Sequence, residues 1–357
     1  MLEKHRCGSA AVNDAQVSQL LGGPAPWMAS DGPSADLVIS SRIRLARNFA
    51  KAPFPHRASA NQRTAVVVGV LATLAGAMPT ASLRMEELTV RARAILVEKF
   101  YISPDFAQQR VAGAALALIG GDRSVMINEE DHLRIQALGG GLSLDSALAL
   151  ANHIDDAIEA QMDYAYDERL GYLTACPTNL GTGLRASTMV HLPALVFSGA
   201  IRTVVAQLEQ AGAMIRGIYG ENSSPLGAIF QISNRTTLGR TEDEFIAMVR
   251  GLTESVVILE REARYAIVHQ APDAITDRIW RAFGALKTAR LLPYGEAVEA
   301  LSLIRWGVHA GILPPVPRVR LNELLYQMGP ATLDARVTSS EADHSRATLV
   351  REAFEAY

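Results

Sequence analysis

The densest group of chemically active side chains in the sequence is the stretch Ile127–Arg134, which reads INEEDHLR. Glu129, Glu130 and Asp131 are three consecutive acids between two apolar runs. Charged groups that lie near a core need a partner of opposite charge or hydrogen-bond donors. The stretch therefore raises the question of which cation these acids bind.

Three cations are candidates. Mg²⁺ prefers carboxylate oxygens, but it usually binds one or two of them together with the phosphates of a substrate. Zn²⁺ needs more histidine or cysteine ligands than His132 provides. A planar guanidinium matches paired carboxylates in shape, and it needs a base before it can attack phosphorus, because its pKa is above about 12. Glu221, in YGENSS, can complete such a clamp from another loop. The plain alternative is a solvated turn of acids.

Several arginines stand at predicted strand ends or beside glycine: Arg42, Arg44, Arg134, Arg185 and Arg216. Arg42 and Arg44 share one face of a strand because they are two residues apart. Any single one is typical of a charged surface, whereas a converging group binds polyphosphate through bidentate bonds. The sequence has neither a P-loop nor a dinucleotide-binding glycine motif, so arginines would have to hold a nucleotide. Cys176 gains chemical interest only if cationic neighbours lower its pKa beside a reaction centre.

Periodicity and turn signals indicate the elements that position these residues. They predict helices at about 59–77 and 84–100, a hairpin turning at Gly120–Asp122, a helix after Gly141, and a helix opened by the capping box TEDE at 241–244. GYLTACPTNLGTG is read as a strand running into a loop, and 213–234 as two strands joined by an irregular loop. The fold class predicted is α+β, with a mainly antiparallel sheet flanked by helices and a helical C-terminal domain.

Composition narrows the function classes. The net charge of −3 is mild, so neither nucleic acid nor an anionic membrane is an expected partner. Cys7 and Cys176 make no disulfide framework, which fits a reducing cytoplasm. The N-terminal residues contain no secretory signal pattern, and the apolar run 65–78 is too short to span a bilayer. We therefore expect a cytoplasmic protein.

Four longer stretches, in this order, resemble the phosphagen (guanidino) kinases, and most closely the bacterial protein-arginine kinases of the McsB type: VISSRIRLARNF, MINEEDHLRIQ, CPTNLGTGLRAS and RGIYGENSSPLGAIFQISN. The similarity covers about residues 36–262, and RATLVRE near the end extends it into the C-terminal region. Four long motifs in the family's order are a specific signal.

The resemblance implies three parts and a MgATP-dependent reaction. Residues 1–35 are expected to be a flexible N-terminal extension, 36–262 an ATP:guanidino phosphotransferase domain, and 263–357 a helical C-terminal domain. The C-terminal domain would carry dimer contacts and a phosphoarginine-binding motif that includes Asp343 and Arg346. The cofactors implied are ATP and Mg²⁺.

The resemblance also assigns roles to residues. The nucleotide would lie among Ser40, Ser41, Arg42, Ile43, Arg44, Phe100, Arg134, Arg185, Ala186, Ser187, Thr188, Met189, Arg216, Gly217, Ile218, Tyr219, Gly220 and Glu221. Glu130 would be the catalytic base, Glu221 would hold the acceptor, and Glu129 would support the acid cluster. Cys176 matches the family's active-site cysteine.

Two positions depart from the family pattern. Phe100 stands in VEKF where the family has a histidine that lines the nucleotide site. Aromatic stacking on adenine can replace that histidine, although a hydrogen bond is lost. In the C-terminal motif R-D-x-x-R-A, Ala342 stands in place of the first arginine.

The resulting hypothesis is a protein-arginine kinase that marks proteins for Clp-type proteolysis. The resemblance implies a homodimer, a Clp unfoldase or protease as partner, and a zinc-binding activator protein. Small-molecule relatives carry a helical domain before the first arginine motif, and residues 1–35 leave no room for one, which favours a protein acceptor. The alternatives are a kinase for a free guanidino metabolite and a non-catalytic phosphoarginine-binding adaptor, and the intact acids and arginines argue against the adaptor.

Overall fold

The computed structural model describes residues 24–29, 32–109, 112–217, 225–333 and 339–357, together with Val17, Leu20 and Leu21. Its centre is an eight-stranded sheet in which every neighbouring pair is antiparallel, in the order β2-β3-β4-β5-β1-β8-β10-β9. The strands are β1 (Val38–Arg47), β2 (Ala81–Arg84), β3 (Ala115–Ile119), β4 (Arg123–Ile127), β5 (Leu133–Gly140), β6 (Tyr166–Asp167), β7 (Gly171–Tyr172), β8 (Leu184–His191), β9 (Ala213–Gly217) and β10 (Ile229–Asn234), with β6 and β7 forming a separate pair.

Helices cover both faces of the sheet and continue beyond it. They are α1 (Pro26–Ala29), α2 (Ala60–Ala77), α3 (Val90–Glu98), α4 (Pro104–Gln108), α5 (Leu144–Glu159), α6 (Pro193–Phe197), α7 (Ile201–Gln210), α8 (Glu242–Gln270), α9 (Pro272–Thr288), α10 (Tyr294–His309), α11 (Arg318–Gln327) and α12 (Ser339–Phe354). The mainly antiparallel α+β fold expected from the sequence is confirmed. None of these helices has the length and apolarity that crossing a membrane requires.

The central strand β1 separates two environments because its side chains alternate between the sheet faces. Ile43 and Leu45 are fully buried in a core shared with α2, α5 and the start of α8. Arg42 and Arg44 point to the opposite face, which α1, α3, α4 and α11 cover only in part. One strand therefore supplies both the packed core and a charged surface.

Local signals explain several element boundaries. Ser59 and Gln62 form a capping box at the start of α2, and Thr241 and Glu244 form the predicted one at α8. The hairpin β3–β4 turns at the predicted place, where Gly120 has a φ of +64° that glycine adopts without strain. The predicted helix at about 59–77, the capping box at 241–244 and the turn at Gly120–Asp122 are confirmed.

Other boundaries differ from the prediction. The helix expected at 84–100 is shorter, because Arg84 still pairs in β2 and Thr89 caps the helix that follows. The strand expected in GYLTACPTNLGTG is only the two-residue β7, followed by a 3₁₀ turn at Pro177–Asn179. Proline and asparagine favour turns over sheet ladders, which explains the early end of the strand.

The helical C-terminal region has its own apolar core, in which Trp306, Leu321 and Phe354 are fully buried. Helix α8 runs without interruption across the predicted domain boundary at 262/263. Within the predicted N-terminal extension, Trp27 and Met28 are buried, and the Met28 carbonyl accepts a hydrogen bond from Asn322 Nδ2 at 3.2 Å.

Candidate active site

A cavity of about 150 Å³ opens on the charged face of the sheet. One wall is cationic and carries Arg42, Arg44, Arg185 and Arg216; the other is largely apolar and carries Val97, Phe100, Ile102, Pro104 and Met126. A second small cavity beside it is lined by Arg44, Arg134 and Arg185. The predicted arginines thus converge on one place, although they come from four different strands.

Strand register explains this convergence. Arg44 on β1 is directly opposite Arg185 on β8 and Gln136 on β5, and Arg42 is opposite Ser187. Like charges opposite each other across strands are unfavourable unless an anion lies between them. Burial and the neighbouring Arg134 and Arg185 lower the pKa of Arg42 to about 10.

Arg44 is repelled by three other arginines of this group. Burial lowers its pKa well below the ordinary value, and Arg42, Arg134 and Arg185 lower it further, while Glu129 opposes them. Its Nε is buried and donates no hydrogen bond to any described residue. A polyphosphate in the cavity would supply both the missing acceptors and the missing negative charge.

Arg134 connects the arginines to the acids of the INEEDHLR stretch. Its Nη1 lies 2.8 Å from Glu129 Oε2 and donates to Glu129 Oε1 at 3.1 Å, and its Nη2 lies 3.6 Å from Glu130 Oε2. Glu129 is buried and accepts a short hydrogen bond from the hydroxyl of Ser103, a residue of the cavity wall. The cation bound by Glu129 in this structure is therefore Arg134.

Glu130 is the more accessible acid and lies beside Cys176. Partial burial and the adjacent Asp131 raise its pKa, while Arg134 and a hydrogen bond from Cys176 act in the opposite direction. The Cys176 sulfur also lies 3.0 Å from Thr178 Oγ1. A half-exposed carboxylate with a raised pKa, next to an arginine and a thiol, has the properties of a general base.

The third acid and the histidine of the stretch serve the fold. Asp131 Oδ1 accepts hydrogen bonds from Asn48 Nδ2 and from the backbone N–H of Ala175, both at 2.6 Å, which fixes the segment that carries Cys176. His132 accepts from the Phe49 N–H at Nδ1 and donates from Nε2 to the Pro53 carbonyl. Burial lowers the pKa of His132 to about 4, so the ring is neutral.

Other predicted nucleotide-site residues are placed differently. The side chains of Ile43 and Ala186 lie in the apolar core, Ser41 bonds to the Gly141 carbonyl, and Thr188 bonds to Thr253 of α8. Strand alternation turns these four away from the cavity. Ser40, Ser187 and Met189 are buried, and Gly217 ends β9. Ile218, Tyr219, Gly220 and Glu221 lie outside the described residues.

The predicted phosphoarginine-binding pair lies within α12. Arg346 is buried, donates to the Met328 and Leu292 carbonyls at 2.8 and 2.7 Å, and pairs with Asp343 at 2.6 Å. Ala342, which replaces the first arginine of the motif, is buried as well. These contacts stabilise the helical region, and phosphoarginine binding here stays a prediction.

The sequence analysis missed several residues that line the cavity, among them two glutamines. Gln136 and Gln231 line the cavity, and Gln231 Oε1 accepts a hydrogen bond from Arg42 Nη2 at 2.9 Å. Gln136 follows Arg134 by two residues on β5, so the alternation that related Arg42 to Arg44 could have identified it. Within the described ranges no three histidine, cysteine or acidic residues come together as a metal site.

Comparison with known proteins agrees with this geometry. Residues 63–263 match the family model for the ATP:guanido phosphotransferase C-terminal catalytic domain, which is more than half of the chain. The chain belongs to the ATP:guanido phosphotransferase family. Residues 272–357 match the protein-arginine kinase McsB C-terminal domain.

Relatives and solved structures extend the comparison. The protein-arginine kinase of Geobacillus thermodenitrificans is 43% identical over 91% of this chain and 92% of its own, and that of Symbiobacterium thermophilum is 44% identical over 91% and 95%. The crystal structure of lombricine kinase aligns with a TM-score of 0.59 at 23% identity, covering 71% of this chain and 77% of that one. The last comparison shows the shared fold.

Proposed function

We propose that this chain transfers the γ-phosphoryl group of ATP to arginine side chains of proteins. The observation that carries the proposal is Arg134, which joins a cationic cavity on one side to Glu129 and Glu130 on the other. A nucleotide and a guanidinium acceptor need these two environments side by side. The names of the full-length relatives favour a protein as the acceptor.

In this proposal the adenine ring packs on the apolar wall around Phe100, and the phosphates lie against the arginines. The transition state spreads negative charge over the transferring oxygens, so catalysis is mostly positioning and electrostatic stabilisation. Arg134, Arg185 and Arg216 stabilise that charge, and Arg42 and Arg44 bind the other phosphates. Mg²⁺ bound to the phosphates would neutralise part of their charge.

Glu130 takes the proton that the acceptor guanidinium loses, with Glu221 holding the acceptor. Because burial and Asp131 raise the pKa of Glu130, the base becomes fully ionised only above its ordinary range. The rate should therefore rise with pH through that raised value and then level off. Asp131 acts indirectly, because it anchors the Ala175–Cys176 segment beside Glu130.

The proposal includes consequences that rest on the family resemblance. These are a cytoplasmic location, a homodimer, product recognition by Asp343 and Arg346, delivery of marked proteins to a Clp unfoldase or protease, and help from a zinc-binding activator protein. The division of the chain into 1–35, 36–262 and 263–357 belongs to the same proposal. A free guanidino metabolite as acceptor is the competing possibility.

The decisive experiment incubates the full chain with MgATP and either casein or free arginine, and measures acid-labile phosphate. We expect transfer to casein and little to arginine. Glu130→Gln should lower turnover by about 10²–10⁴-fold, the contribution of a positioned base, with ATP affinity nearly unchanged. The exposed Glu209→Gln is the matched control and should behave as the unmodified chain. Near-normal turnover of Glu130→Gln would show that another group is the base.

A further inference from the structure

The end of helix α3 is held by a loop from the C-terminal region. Both carboxylate oxygens of Glu98 accept backbone hydrogen bonds, from Ala331 N at 2.7 Å and from Thr332 N at 2.8 Å. The Thr332 hydroxyl adds a third bond to Oε2 at 2.8 Å. The segment 326–332 therefore binds this single carboxylate with three donors, although more than 230 residues separate them.

Lys99 makes the second half of the same contact. Its Nζ donates to the Tyr326 carbonyl at 2.7 Å and lies 3.6 Å from the centre of the Tyr326 ring. Burial lowers the pKa of Lys99 to about 8, against the opposing effect of Glu98. At Gly329 any Cβ would come within 2.4 Å of Glu98 Oε2, so the approach leaves no space for a side chain. We call the contact of Glu98 and Lys99 with segment 326–332 the clasp.

The residue after the clasp is Phe100, and its backbone is unusual. Tyr101 N–H bonds to the Leu96 carbonyl at 3.0 Å, and Phe100 has a φ of +62°. Helices that end in this way normally place glycine at the left-handed position, because a side chain is strained there. Here the position carries a ring that lines the cavity, and its carbonyl accepts from Gln136 Nε2 at 2.6 Å.

We propose that Glu98 and Lys99 are positioning residues for nucleotide binding, and that the clasp holds Phe100 in its strained conformation against the adenine ring of ATP. The C-terminal region then contributes to ATP affinity without touching the nucleotide. This inference rests on the proposed function only in taking the cavity as the ATP site. It concerns the adenine-binding side of the cavity, since Phe100 lies on the apolar wall and the arginines bind the phosphates.

Segment 326–332 of the clasp makes further contacts with α12 and with Trp27. Arg346 Nε donates to the Met328 carbonyl at 2.8 Å, which ties the segment to α12. Tyr326 packs edge-on against Trp27 at 6.4 Å between ring centres, in the same buried cluster that Phe100 borders. Residues of α12 and α1 thus hold the segment in place on the side away from Glu98 and Lys99.

The test measures binding of MgATP and of inorganic tripolyphosphate to the full chain by calorimetry, with no acceptor present. Glu98→Gln and Gly329→Ala break the clasp from opposite sides, and Thr332→Val removes one bond with little change of shape. We expect the Kd for ATP to rise about tenfold in the first two, the scale of one lost charge-assisted hydrogen bond. The Kd for tripolyphosphate should stay within about twofold, because the arginines are unchanged.

Controls separate the possible failures. Glu86→Gln replaces an exposed acid just before α3 and should leave both affinities unchanged. The double variant Glu98→Gln/Gly329→Ala should lose no more than either single one, because both break the same contact. Unchanged ATP affinity in the variants would overturn the inference, and so would an equal loss for tripolyphosphate. Failure of the unmodified chain to bind ATP would instead overturn the proposed function.

Discussion

The two faces of strand β1 place buried arginines in opposite electrostatic environments. On the packed face, Arg47 donates to Asp155 at 2.8 and 3.0 Å and to the carbonyls of Ala46 and Thr182, and its guanidinium stacks on Tyr172 at 3.6 Å. On the cavity face, Arg44 sits opposite Arg185, and its pKa is lowered by burial and by other arginines. Arg47, whose donors and charge are matched by partners, and Arg44, which is repelled by other arginines, are only three residues apart on one strand.

This difference separates structural charge from functional charge. A buried arginine that serves the fold has its donors and its charge matched within the protein. Cations held close together, against their mutual repulsion, weaken the fold, and an anionic ligand reverses that effect. The arrangement around Arg44 therefore costs stability in the free protein and is suited to a polyphosphate.

The largest expected effect comes from Arg44→Met. Activity toward a protein acceptor should fall by about 10³-fold, because the variant loses at least two charge-assisted hydrogen bonds to phosphate, each worth roughly 1.5–3 kcal/mol. The melting temperature should stay equal or rise, because one of several repelling charges is removed. Kinetics with casein and thermal unfolding without nucleotide provide the two readings.

Arg123→Met is the matched control for this prediction. Arg123 is paired with Asp122 at the start of β4 and lies outside the cavity lining, so activity should change little. A clear drop in the melting temperature of Arg44→Met would contradict the comparison, since it would make Arg44 a structural residue like Arg47.

Arg47→Met should show the reverse pattern. It leaves the Asp155 carboxylate buried without its cation, and breaking a buried pair costs about 3–5 kcal/mol of unfolding free energy. The fraction that remains folded at low temperature should keep nearly normal turnover. Urea unfolding measures the lost free energy, and an activity assay at reduced temperature measures the turnover of the folded protein separately.

The double variant Arg47→Met/Asp155→Leu sharpens this result. It replaces the pair with apolar groups of similar size, which is often neutral for stability. Most of the lost unfolding free energy should therefore return. If the single variant were as stable as the unmodified chain, the packed face would not depend on its ion pair.

Parts of the site follow from local rules. The two-residue spacing of Arg42 and Arg44 predicted a shared strand face, and the structure has it. The same rule extends to Gln136, whose position on β5 needed only Arg134 as a reference. Alternation along a strand is a property of the backbone, so it is readable wherever a strand is recognised.

Other parts depend on contacts that no local pattern contains. Three adjacent acids look equivalent in sequence, yet Glu129 meets Arg134 while Asp131 meets Asn48 and Ala175. They lie in a turn where Asn128 has a φ of +61°, so strand alternation does not apply. The burial of Arg346 cannot be predicted from local sequence either, because its acceptors are the carbonyl groups of residues 18 and 54 positions away in the chain. Such contacts are set by tertiary packing.

The smallest expected effect concerns His132, a titratable group on the packed side, where its ring lies 5.3 Å from that of Phe49. Burial lowers the pKa of His132 to about 4, while an unfolded chain has a histidine pKa of about 6.5. The neutral ring therefore contributes its full stability above pH 6.5 or so, and this contribution is lost as the pH falls toward about 4.

In His132→Gln the amide can still donate to the Pro53 carbonyl but cannot titrate. The variant should be less stable than the unmodified chain at pH 7.5, and the gap should narrow steadily as the pH is lowered to 5. His191 and His309, whose pKa values burial also lowers, are present in both proteins and cancel in the difference. The exposed His269→Gln serves as control for the chemical change from imidazole to amide. A gap for His132→Gln that does not change with pH would mean that the ring can accept a proton in the folded state, and the packed face would then tolerate an unmatched charge as the cavity does.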